Sequence, residues 1–195
     1  MSKFAYINTI NKNGYSLIEL MIVISIMGIS LTFAVSNFNQ SFMREERTLT
    51  LDRLKTAIEY AKLEAFIRGK TITLCGSTDN KTCSSKDWSK GYIIFENPEQ
   101  EIHPKFEQIL QVFSGLHFGR LYFESFGPQN LNIFANGTTI NLGAFTYCPK
   151  NRDNREAEAL IINQACRTYR PTEKNILNVF IKHPNSPHAI PLSCR

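Results

Sequence analysis

The sequence is poor in the groups on which most catalysis depends. It has four histidines, His103, His117, His183 and His188, and none stands at a spacing from cysteine that would build a zinc site. It holds no C-x-x-C pair, nucleophile elbow, phosphate-binding glycine loop or paired-carboxylate signature. These absences argue against an enzyme and against a bound metal or cofactor. His117, beside Phe118, reads as a partly buried structural residue rather than a base. Proline and glycine are missing from residues 36–67, so nothing there interrupts a helix. Acids are missing from residues 1–14, which carry Lys3 and Lys12. No internal repeat or low-complexity segment is present. The net charge of +5 is a mild excess and does not by itself imply nucleic acid.

What the sequence does have is one long apolar run. Residues 15–35 number 21 and include a single charge, Glu19. About 20 apolar residues span a bilayer as a helix. A carboxylate in such a run costs on the order of 2.5 to 3.5 kcal/mol at the bilayer centre, so something must offset it. A secretory signal is cut behind its apolar stretch, whereas here the small residue Gly14 stands in front.

Residues Gly14, Tyr15, Ser16, Leu17, Ile18, Glu19 and Leu20, behind a short basic leader, resemble the class III leader of type IV pilins and type II secretion pseudopilins. The family usually has Phe where Tyr15 stands. The resemblance implies that a prepilin peptidase cuts after Gly14 and that Tyr15 becomes the methylated N-terminus. It implies a single-pass inner-membrane protein with a periplasmic C-terminal domain, and other pilin or pseudopilin subunits as partners. Loss of Lys3 and Lys12 with the leader would lower the net charge to +3. Glu19 would then pair with the α-amine of an adjoining subunit, whose ordinary pKa is about 7.7 to 8.0. Major pilins often carry a helix-kinking proline where Ser36 stands, so its absence points to a minor subunit. The alternative with the same topology is a plain membrane-anchored binding domain.

A second helical pattern starts at Arg44. Leu51, Leu54, Ile58, Ala61 and Ala65 recur at steps of three and four, with charged residues on the opposite face. The whole pattern predicts one helix over residues 15–68, ended by Gly69 and roughly 80 Å long at 1.5 Å per residue. Residues 15–35 form its transmembrane or filament-core half and residues 36–69 its amphipathic half. Strands are expected at 71–74, 88–95, 109–113, 120–124, 131–134, 138–147 and 159–162. Residues 70–195 therefore read as one antiparallel sheet system packed on the helix, an α+β fold shaped like the pilin lollipop.

Five cysteines, Cys75, Cys83, Cys148, Cys166 and Cys194, lie in the part expected to face an oxidising compartment. Cys75 and Cys83 flank a turn-rich loop and suit a local disulfide. Whether Cys148 or Cys166 joins Cys194 is open. An odd count leaves one thiol free or paired between chains. The order of Arg68-Gly69-Lys70, Leu74-Cys75, Cys83, Asp87-Trp88 and Gly91-Tyr92-Ile93-Ile94-Phe95 resembles the GspH/FimT group of minor pilins and pseudopilins.

Residues 149–195 hold eight cations against four acids. The FimT branch binds DNA through a C-terminal Gly-Arg-x-Arg motif, which the stretch Ala165-Cys166-Arg167-Thr168-Tyr169-Arg170 partly resembles. Glycine is missing and the arginines are three apart, which in a strand places them on opposite faces. Arg167, Arg170 and Lys174 are thus the candidate DNA contacts, beside the reading of a solvated or subunit-facing charged surface. A role in filament priming or tip assembly completes the expectation, in either a type IV pilus or a type II secretion pseudopilus.

Overall fold

The computed structural model describes residues 14–83, 87–101, 104–125, 127–173 and 191–194, and of residues 32–40 and 106 the backbone alone. The chain divides into two compact units, Met1–Ser41 and Phe42–Arg195. Helix α1, Leu17–Arg68, runs through 52 residues without a proline. It stops at Gly69, whose φ of 64° is the left-handed conformation that terminates helices and that glycine adopts without a Cβ clash.

In the second unit, α1 presents Leu51, Leu54, Ala57, Ile58, Ala61 and Ala65 inward, all buried. Among the described residues eight strands follow: β1 Ile72–Gly76, β2 Gly91–Glu96, β3 Ile109–Ser114, β4 Gly119–Ser125, β5 Leu131–Ile133, β6 Gly143–Pro149, β7 Glu158–Ile162 and β8 Thr168–Tyr169. They form two antiparallel sheets rather than the one expected, ordered β3-β2-β1-β5 and β4-β6-β7-β8. The sheets part because the chain leaves β3, the outer strand of the first, and enters β4, the outer strand of the second. Both sheets contribute alternate residues to a common core with α1: Ile72 and Leu74, Tyr92 and Ile94, Leu121 and Phe123, Phe145 and Tyr147, Leu160 and Ile162. Burying each large side chain here stabilises the fold by roughly 1.5 to 3 kcal/mol.

Two expected strands begin well after their predicted starts. Trp88 lies before β2, where its ring packs edge-on against Phe145 at 4.8 Å, and Phe145 stacks on Phe123 at 4.2 Å. Residues 138–142 are irregular instead of extending β6: Thr139 N–H donates to Gln164 O, and Asn141 Oδ1 accepts Asn132 N–H. Each sheet also has an outer apolar patch under a disulfide. Ile93 and Phe95 lie with Cys75 and Cys83, and Ala157 and Ala159 with Leu192 and Cys194.

Candidate functional site

In the N-terminal unit, Gly14 and Tyr15 precede the helix, and Tyr15 is 86% exposed. Ser16 C=O accepts the N–H groups of Glu19 and Leu20, which starts α1. Glu19 therefore occupies the first turn, where the helix dipole favours a negative charge. Leu17, Ile18, Leu20, Met21, Ile22, Val23 and Ile24 are consecutive apart from Glu19, and all are exposed. A helix apolar on every side needs an apolar surrounding, either lipid or other helices. The hydroxyls of Ser25 and Ser30 donate to Met21 O and Ile26 O, so these polar groups are satisfied within the helix itself. Among the described residues no helix is long and apolar enough to cross a membrane.

In the second unit, Glu46 joins three elements. Its carboxylate accepts the backbone N–H groups of His117 and Phe118, at 2.6 and 2.9 Å, and the hydroxyl of Tyr147 at 3.1 Å. Burial, reinforced by the Glu46 charge, raises the Tyr147 pKa above the ordinary phenol value. His117 is exposed, not partly buried as expected, because its backbone rather than its ring is what the fold uses. Beside this cluster a groove of about 680 Å³ runs between α1 and β3. Phe42, Leu49, Tyr92, Val112, Phe113 and Phe118 supply its apolar surface. Nothing local in the sequence signals either feature, since Glu46 and Tyr147 are 101 residues apart.

Of the candidate DNA contacts, Arg170 is taken up by ion pairs within the fold. Arg170 is held by Asp52 at 2.8 Å and Glu158 at 3.2 Å, and Arg47 reaches the other Glu158 oxygen at 3.1 Å. Arg167 is exposed and its side chain has no ion pair among the described residues. Its loop rests on α1 further along, where Lys62 Nζ donates to Ala165 O. Lys174 lies outside the described residues, as does the leader before Gly14. Cys75 bonds Cys83 and Cys148 bonds Cys194, which leaves Cys166 as a buried thiol. Among the described residues no cluster of His, Cys, Asp and Glu is arranged to hold a metal.

Comparison with known proteins agrees with this geometry. Residues 50–165 match the family of type II transport protein GspH, and residues 10–35 match the prokaryotic N-terminal methylation motif. No curated protein sequence matches. The fold is similar to that of the type IV minor pilin FimU of Pseudomonas aeruginosa, at 23% identity and a TM-score of 0.52, covering 67% of this chain and 96% of that one. It is also similar to the minor pseudopilin EpsH of the Vibrio cholerae type II secretion system, at 12% identity and a TM-score of 0.50, covering 68% and 99%. The methylation motif and the pilin fold are those of a membrane-anchored envelope protein. Since the family match takes in more than half of the chain, the protein belongs to the GspH family of pilin-like proteins, the minor pilins and pseudopilins.

Proposed function

We propose that the chain is a low-copy accessory subunit that primes or caps an envelope filament. In this reading a prepilin peptidase removes residues 1–14 in the inner membrane and Tyr15 is methylated. The apolar half of α1 waits in the bilayer as a single pass with the second unit in the periplasm, then moves into the filament core. Glu19 sets register there by pairing with the amine of an adjoining subunit, because an unpaired buried charge is heavily penalised.

The observation that carries the reading is the helix of the N-terminal unit, apolar on all sides, with one acid in its first turn directly behind Gly14 and Tyr15. The similar structures are those of a minor pilin and a minor pseudopilin, which supports an accessory place over a bulk one. DNA is not part of the proposal, since the ion pairs of Arg170 leave it little freedom to meet phosphate. Mass spectrometry of protein recovered from membranes tests the reading. A chain starting at N-methylated Tyr15 is expected, and a chain starting at Met1 overturns it.

A further inference from the structure

The two sheets have four outer edges, of which two are covered and a third is very short. Along β5, Asn132 N–H donates to Asn141 Oδ1 at 3.0 Å and Phe134 N–H to Thr138 O at 2.9 Å. Along β4, Trp88 N–H donates to Leu121 O at 2.8 Å and Leu121 N–H to Ser89 Oγ at 2.9 Å. β8 is two residues long. β3 differs: it has six residues, it pairs with β2 alone, and none of its backbone groups bonds outward among the described residues. Its sequence, Ile-Leu-Gln-Val-Phe-Ser, has no charge and no proline to keep the edge from pairing, and its one irregularity, at Leu110, lies at the start of the strand and leaves Gln111–Ser114 in regular register.

The groove lies along this edge, and its rim carries two charges without ion pairs among the described residues, Glu45 and Arg53. Eight residues separate them on α1, a distance of about 12 Å at 1.5 Å per residue. An extended chain covers about 12 Å in roughly four residues.

We propose that the β3 edge and its groove receive an extended strand from a neighbouring pilin-like subunit. The inference rests on the filament reading above and names its contact. The incoming strand bonds its backbone to β3 and turns alternate apolar side chains onto Leu49, Phe113 and Phe118, which line the groove on the α1 side. It carries an acid opposite Arg53 and a base opposite Glu45, about four residues apart. A second copy of β3 fits poorly, since it brings no charge to either end of the groove.

The test uses the full chain in the bacterium that makes it, with a photo-crosslinking amino acid at Leu49 and a control at Lys55, an exposed position outside the groove. Illumination should join Leu49 to one protein that itself bears the methylation motif, through a segment with an acid and a base at the stated spacing. Val112→Lys, which places a charge on the edge, should lower the yield at least fivefold while leaving circular dichroism unchanged. A yield no higher than at Lys55, a crosslink only to a second copy, or a partner without the motif overturns the inference. The N-terminus is read from the same sample. A methylated Tyr15 without the crosslink removes only the docking site, whereas an intact Met1 removes the filament reading and the docking site with it.

Discussion

A single carboxylate, Glu46, holds α1 against both the link between the sheets and β6. Its three donors are the backbone of His117 and Phe118 and the hydroxyl of Tyr147. Glu46→Ala should destabilise the domain by about 1 kcal/mol, because it removes three hydrogen bonds and leaves the part-buried Tyr147 hydroxyl without its acceptor, while the exposed N–H groups of His117 and Phe118 turn to water. Urea denaturation of the full chain in detergent checks this, and an unchanged midpoint would show the clasp to be idle. Glu46→Gln, which keeps an acceptor, should recover part of the loss. Cys166 offers a second reading at this scale. Burial pushes its thiol up to about 11. Its folded-state value is raised, so its contribution to stability is complete below the ordinary thiol value near 8.5 and is lost as the pH climbs towards 11. At pH 8.5 iodoacetamide should therefore label the folded protein far more slowly than the guanidinium-unfolded one. Equal rates would mean that the thiol is not buried. Glu19 makes its own forecast within the filament reading: Glu19→Ala should still insert into membranes but should reach filaments poorly, as immunoblots of sheared filament fractions would show.

Among the elements, α1 was the most legible, and the reason is local. Its inner face is written at steps of three and four, and the residue that ends it is a glycine with positive φ. The strands were legible where apolar residues alternate, as at Leu121 and Phe123, and less so in β6, where an unbroken β-rich stretch from Thr138 concealed an irregular segment held by Asn141. The division into two sheets was not legible, because it depends on which strand pairs with which at long separation. The same holds for the site. Gly14, Tyr15 and Glu19 form a local motif, while Glu46 and the groove arise only when distant segments meet. Arg170 shows the converse: counted as a free cation in the sequence, it bridges Asp52 and Glu158 in the fold. Arg170→Gln should therefore destabilise the β7–β8 corner, lowering the thermal midpoint by a few degrees while leaving any DNA retention at low salt nearly as it was. A loss of DNA retention without a loss of stability would reverse that assignment.

At the scale of the whole second unit, the two disulfides do unequal work. Cys75–Cys83 closes eight residues and Cys148–Cys194 closes 46. Restricting the unfolded chain alone gives about 2.5 kcal/mol for the short loop and about 4 kcal/mol for the long one. The folded side of the balance widens the gap. The short bridge roofs Ile93 and Phe95, which β2 already holds, whereas the long one seats Leu192 on Ala157 and Ala159 and brings Cys194 N–H to Asn154 Oδ1 at 2.8 Å. Without the long bridge, β7 loses the cover on its outer face. Cys148→Ser/Cys194→Ser should thus cost more stability than Cys75→Ser/Cys83→Ser, by at least about 1.5 kcal/mol on chain entropy alone. In the first variant, hydrogen exchange should rise at β7 and β8 before it rises at β1 and β2. If the two variants unfold at the same denaturant concentration, or if exchange rises evenly over both sheets, the C-terminal residues are not the fastening that this geometry makes them.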